Sequence, residues 1–74
     1  MNTKPSGRAV KRSLTLRGHR TSVSLEAAFW EAFRAVAAED GVTLNALAER
    51  IDEERSDVGL ASAIRVFVLE RVRR

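Results

Sequence analysis

The feature that most constrains this chain is a change of hydrophobic period near residue 26. Residues 13–25 alternate between apolar and polar side chains, and a period of two is typical of a half-buried β-strand. From Ala27 onward the apolar residues recur at helical spacing. A lone strand or strand pair is not stable in water, so this segment must pack on the helices that follow it or pair with a second copy.

Gly18 and His19 interrupt the alternating segment, and two interpretations of this interruption remain open. Gly18 is either a bulge in one strand or part of a turn that separates a short strand from a second strand over residues 20–25. If the chain has only one good strand, its simplest partner is the same strand of a second copy. That pairing gives an antiparallel two-stranded ribbon on a twofold axis.

Three helices are predicted after the strand region. The first covers about residues 27–40 and ends at Gly41, the residue type that helix C-termini favour. The second covers about residues 43–54 with Thr43 as its N-cap, and the third covers about residues 60–73. We therefore predict a mainly α fold with a short β-ribbon, in a single domain over residues 13–74.

A chain of 74 residues has room for one domain, but a core built from so few residues is marginal in a monomer. The apolar content is 45%, and the third helix is apolar nearly all round. We therefore expect an intertwined homodimer that buries part of this surface between subunits. The predicted dimer core comprises Val23, Leu25, Phe29, Trp30, Phe33, Leu47, Ile51, Ile64 and Phe67.

The basic charge is concentrated at one end of the chain. Residues 1–25 contain six basic and no acidic residues, whereas residues 26–74 carry a net charge of −3. A positive field of this kind attracts a polyanion such as nucleic acid. Residues 1–12 show no periodicity and contain Pro5 and Gly7, so we predict a flexible basic arm there.

Several classes of protein are disfavoured by what the sequence lacks. There is no cysteine, which excludes disulfides and thiolate zinc sites and permits a cytoplasmic location. No apolar stretch has the length of a membrane span, and no secretory signal is evident. His19 is the single histidine, so we expect no metal site and no cofactor. No nucleophile–base pair or glycine-rich phosphate loop is evident, and we expect no enzyme.

The order of these elements resembles the ribbon-helix-helix family of DNA-binding proteins. The resemblance rests on the strand Arg20-Thr21-Ser22-Val23-Ser24-Leu25, the helix from Ala27, the link Gly41-Val42-Thr43, and the second helix with Leu47 and Ile51. The longer run from Arg17 to Glu26 and the closing helix around residues 63–70 are similar to a subgroup of short bacterial proteins with this domain.

The resemblance implies that a two-stranded ribbon enters the major groove of DNA, with its outward side chains on base edges. Here the outward residues are Arg20, Ser22 and Ser24, while Val23 and Leu25 face the helices. Arg20 can form a bidentate pair with guanine, and the two serines can donate or accept hydrogen bonds.

The resemblance also implies phosphate contacts at the N-terminus of the second helix, where free backbone N–H groups and the helix dipole favour an anion. Thr43, Leu44 and Asn45 occupy this place. Leu44 departs from the family, which often has a basic or small polar residue there, and this removes a charge contact. We further expect Lys11, Arg12 and Arg17 to contact phosphates.

The leading hypothesis is a homodimeric, sequence-specific binder of double-stranded DNA that regulates transcription. A second hypothesis is an antitoxin-like module that captures a partner protein, with DNA binding secondary. A third is a structural homodimer whose basic arm binds a membrane or RNA without reading sequence. Salt-dependent binding to random DNA, together with capture of a toxin partner, separates these hypotheses.

Overall fold

The computed structural model describes residues 7–74, in which a β-hairpin precedes three helices. The predicted helix bounds agree with the observed ones to within one residue, so the prediction of a short β-ribbon followed by three helices is confirmed. The elements are β1 (Ala9–Leu16), β2 (His19–Glu26), α1 (Ala27–Asp40), α2 (Leu44–Glu54) and α3 (Leu60–Val72).

The two strands belong to the same chain and are joined by a two-residue turn. They pair antiparallel in a register that runs from Ala9 opposite Glu26 to Leu16 opposite His19. Arg17 and Gly18 have φ angles of 53° and 80°, as a type I′ turn requires at both central positions. Of the two interpretations of the Gly18 region, the structure has the turn, so one chain forms a two-stranded ribbon by itself.

The first strand begins earlier than the sequence pattern indicated. β1 starts at Ala9, so residues 9–12 belong to the hairpin and not to the predicted flexible arm. The alternation was hidden there because Arg12, on the side of the strand that faces the helices, is polar and exposed. Residues 1–6 of the predicted arm lie outside the described residues.

The hairpin packs one face on the helices. Leu14 and Leu16 of β1 and Val23 and Leu25 of β2 are buried on this inner face. Each strand contributes alternate residues, as the pleat of a β-strand requires. The remaining buried residues come from the helices: Trp30, Phe33, Val36, Ala37, Leu47, Ala48, Ile51, Ile64 and Val68.

The link between α1 and α2 is closed by backbone hydrogen bonds. Gly41, with φ of 69°, donates to the Ala38 carbonyl at 3.1 Å, and Val42 donates to the Ala37 carbonyl at 3.0 Å. This is the Schellman arrangement, which needs a left-handed residue at the position of Gly41. Thr43 Oγ1 then accepts from the Ala46 amide at 3.0 Å, which confirms Thr43 as the N-cap of α2.

The third helix lets a single chain bury most of the residues that were expected at a dimer core. α3 packs on α1, α2 and β2. Phe29 and Phe67 are partly buried, and Val66, Leu69 and Val72 on α3 remain 54%, 47% and 62% exposed. A role for these partly buried and exposed residues between subunits therefore stays a prediction. Seven of the nine expected residues are buried within one chain: Val23, Leu25, Trp30, Phe33, Leu47, Ile51 and Ile64.

Candidate nucleic-acid interface

The face of the hairpin that points away from the helices is polar and carries no acidic side chain between residues 11 and 24. Residues directly opposite each other in an antiparallel pair have their side chains on the same face. All of the residues on this face are exposed except Ser24, which is half-buried. We call this surface the ribbon face, and its cross-strand pairs are Lys11 with Ser24, Ser13 with Ser22, and Thr15 with Arg20.

The three residues predicted to touch bases lie together on the ribbon face. Arg20, Ser22 and Ser24 occupy successive outward positions of β2, while Val23 and Leu25 between and beyond them are buried. The structure thus brings the three side chains into one row on a strand whose other face is fixed by the core. Their contact with DNA remains a prediction.

Sequence reasoning missed Ser13 and Thr15, which lie beside Ser22 and Arg20 on the same face. The signal that could have found them is the turn. A two-residue loop at Arg17 and Gly18 fixes the register of the whole hairpin, and it places the outward residues of β1 opposite those of β2.

The basic residues predicted to contact phosphates lie in different places. Lys11 projects from the ribbon face beside Ser24. Arg12, the next residue, points to the opposite side, and its guanidinium carbon lies 5.9 Å from the centroid of the Trp30 ring. Arg12 is therefore on the side of the hairpin that packs against the helices, so it is not part of the ribbon face.

Arg17 has carboxylate partners instead of a free side chain. Its guanidinium lies 3.1 Å from a Glu53 oxygen and 3.6 Å from an Asp52 oxygen, and its backbone N–H donates to Glu49 at 2.7 Å. The hydrogen bond to Glu53 is the main reason that the pKa of Arg17 is raised. A DNA phosphate would have to displace these carboxylates, so the structure gives Arg17 a role in anchoring the turn to α2.

The two edges of the hairpin differ. The β1 edge faces α2, where the Thr15 amide donates to Asn45 Oδ1 at 3.1 Å and the Arg17 amide donates to Glu49. The alternation of an antiparallel ladder turns the amides of Arg20, Ser22 and Ser24 to the other edge. No described residue accepts a hydrogen bond from them there, so β2 forms the open edge of the hairpin.

The N-terminus of α2 lies beside the β1 edge. Two of the side chains predicted to bind phosphate there are already engaged, since Thr43 caps the helix and Asn45 holds the Thr15 amide. The backbone amides of Leu44 and Asn45 have no acceptor among the described residues. A phosphate contact at this position would therefore use backbone groups, as the resemblance implies.

Away from the ribbon face, two ion pairs attach α3 to the ends of α1. Arg65 donates to both oxygens of Glu26 at 2.9 and 3.1 Å, and Arg71 donates to both oxygens of Asp40 at 3.2 and 2.9 Å. The hydrogen bonds from Arg65 and Arg71 lower the pKa of Glu26 and of Asp40, respectively. These contacts hold the helices that support the hairpin.

A comparison with known protein families gives a match that covers both strands and all three helices. Residues 9–72 match the model described as the ribbon-helix-helix domain. The chain belongs to the ribbon-helix-helix family. Ribbon-helix-helix proteins are generally DNA-binding regulators that form dimers and are typically not enzymes. No curated protein and no solved structure matches this chain significantly.

Two further findings concern the part of this ribbon-helix-helix chain that the structure describes. No group of three or more His, Asp or Glu side chains there could hold a metal ion. Within residues 7–74, no helix is both long and apolar enough to cross a membrane.

Proposed function

We propose that this protein is a homodimeric, sequence-specific DNA-binding protein that regulates transcription by inserting β2 into the major groove. The observation that carries this proposal is the ribbon face. It is polar, free of acidic side chains over residues 11–24, and supported from beneath by a buried apolar layer. A rigid support of this kind fixes where the outward side chains can reach.

The outward residues of β2 have the chemistry that base reading needs. The Arg20 guanidinium is exposed and has no carboxylate partner among the described residues, so it is free to bond the two acceptors of a guanine. Ser22 and Ser24 can donate to or accept from base edges on the same row. The backbone amides of Leu44 and Asn45 would hold a phosphate beside the ribbon.

The open edge of β2 supports the proposed mode of dimerisation. An unpaired strand edge readily pairs with another strand, and two copies of β2 can pair antiparallel about a twofold axis. The β1 edge is less suited, because at its turn end Asn45 already accepts the Thr15 amide and Glu49 accepts the adjoining Arg17 amide. The dimer would contain a four-stranded sheet with two β2 strands at its centre.

The sharpest test of DNA reading selects bound duplexes from a random pool and then measures variants on the selected site. Arg20→Ala should lose about 1–3 kcal/mol of discrimination between the selected site and a scrambled duplex. Arg34→Ala, an exposed arginine on α1, removes the same charge away from the hairpin and should keep discrimination. Selection of no preferred sequence, or equal discrimination by both variants, would refute base reading by β2.

Sedimentation at micromolar concentration tests the dimer. The expected mass is twice 8.2 kDa. The Ser22→Pro variant tests the interface itself. Proline at this position on the open edge removes an amide that would face the partner strand. Ser22→Pro should shift the protein to a folded monomer. A wild-type protein that stays monomeric both alone and on its selected duplex would exclude the proposed dimer.

A further inference from the structure

The first strand of the hairpin presents an outward row that matches the row on β2. Lys11, Ser13 and Thr15 are all exposed and lie directly beside Ser24, Ser22 and Arg20, respectively. The row consists of one cation and two hydroxyl groups, all of which can donate hydrogen bonds to an anion. The inner face of β1 supplies Leu14 and Leu16 to the core, so the orientation of the row is fixed.

The position of β1 in the proposed dimer follows from the two edges of the hairpin. Because α2 covers the turn end of the β1 edge while no amide on the β2 edge has an acceptor among the described residues, the strand order of a two-copy sheet is β1, β2, β2 of the partner, and β1 of the partner. Four strands at a spacing of about 4.8 Å span about 14 Å between the outer strand axes. The major groove is only about 12 Å wide, so the outer strands lie over its walls.

We infer that β1 is a second DNA-contacting strand, in which Lys11, Ser13 and Thr15 bind the phosphate backbone that borders the groove entered by β2. This inference rests on the proposed function and adds a strand to it. Thr15 lies next to the N-terminal end of α2, through the bond from its amide to Asn45. At its Thr15 end, the β1 row therefore adjoins the free amides of α2, and both can face the same DNA backbone.

The same geometry separates Lys11 from the neighbouring cations. Arg12 stacks over Trp30 on the other side of the strand, and Arg17 is held by Glu53 and Asp52. A sequence reading alone would treat these three cations as equivalent. Of the three cations, Lys11 is the one placed to neutralise a phosphate.

The test compares Lys11→Ala with Arg12→Ala, two adjacent substitutions that remove the same charge from opposite sides of β1. Binding is measured by fluorescence anisotropy over a series of salt concentrations, on the selected duplex and on a scrambled one. Lys11→Ala should weaken both complexes by the same factor. Its salt slope should fall by about 2 for a dimer, because each neutralised phosphate contributes about 0.9. Arg12→Ala should leave the slope unchanged.

The hydroxyl groups are tested with Ser13→Ala and Thr15→Val, two substitutions at exposed positions that should change the melting temperature only slightly. Both should weaken the two complexes several-fold without changing the selected sequence. Equal slopes for Lys11→Ala and Arg12→Ala would overturn the inference, as would a changed base preference in the hydroxyl variants, which would place β1 inside the groove. Either result leaves base reading by Arg20 intact, so failure of this inference is distinct from failure of the proposed function.

Discussion

The two strands of the hairpin have the same length and the same alternation, but they are attached to the molecule in different ways. β2 runs directly into α1 and carries Leu25, which is fully buried. β1 buries Leu14 and Leu16 beside the turn, but its first half has no buried side chain and is held by the hydrogen bond from Trp30 to the Val10 carbonyl. At the end of the hairpin away from the turn, β2 is thus fixed by the core, whereas the first half of β1 depends on a hydrogen bond.

The largest expected effect compares two residues that face each other across the hairpin on its inner side. Leu25→Ala should destabilise the protein by about 2–5 kcal/mol, because it leaves a cavity in the core. Val10, its partner on β1, is 36% exposed, and Val10→Ala should cost much less. Urea denaturation monitored by the fluorescence of Trp30 measures both. Similar losses for the two variants would contradict the idea that, at this end of the hairpin, the core fixes β2 more firmly than β1.

A smaller effect is expected at the bond that holds the start of β1. Trp30 is buried, and its Nε1–H donates to the Val10 carbonyl at 2.8 Å. Trp30→Phe keeps an aromatic ring but removes the donor, and the lost hydrogen bond should cost about 1 kcal/mol, with some additional loss from the smaller ring. Loss of this contact should also loosen the first half of β1, because its Val10 carbonyl then keeps only its ladder bond to β2.

Hydrogen exchange of the backbone amides distinguishes a local from a global effect of Trp30→Phe. Amides near Val10 should exchange faster relative to those of β2, because only β1 loses a tether. Uniformly faster exchange in both strands would mean that Trp30 acts only through the core. Phe33→Leu, a change in the neighbouring buried ring without a hydrogen bond to β1, is the matched control.

The sequence predicted the parts of the fold that depend on local patterns. The helix bounds follow from periodicity and from Gly41 and Thr43, and the parity of β2 follows from its alternation. The sequence does not decide between a bulge and a turn at Gly18, because arginine is an unusual residue at positive φ. Arg17 adopts it here while its backbone and side chain bond to α2, more than 30 residues away in the chain.

The candidate site was predictable for β2 and less so for β1. The assignment of Lys11, Arg12 and Arg17 to one phosphate-binding group used charge alone, and charge does not say which way a side chain points. The direction of each side chain depends on the register of the hairpin and on the position of α2. Arg17 can pair with Asp52 and Glu53 only when α2 packs against the turn. Tertiary contacts of this range have no signature in a single sequence.

The smallest expected effect concerns the ion pair between Glu26 and Arg65 at the end of β2. This pair is sensitive to pH, whereas the side chains of Trp30 and Asn45 that bond to β1 are neutral. Arg65 lowers the pKa of Glu26 by hydrogen bonding to its carboxylate. A carboxyl group whose pKa is lower in the folded state stabilises the fold above its unfolded pKa, near 4.3 for glutamate, and this contribution is lost as the pH falls through the folded pKa.

Glu26→Gln should therefore lower the melting temperature slightly at pH 7 and make it less sensitive to acid below about pH 4.3. Glu31→Gln on the exposed side of α1 changes the same charge without breaking an ion pair, and it should keep the acid dependence of the wild type. Because Glu26 lies at the end of β2, hydrogen exchange at pH 7 should show the loosening of Glu26→Gln at this end of the hairpin and not at the turn. If Glu26→Gln and the wild type lose stability in parallel on acidification, the ion pair with Arg65 does not hold β2 to α3.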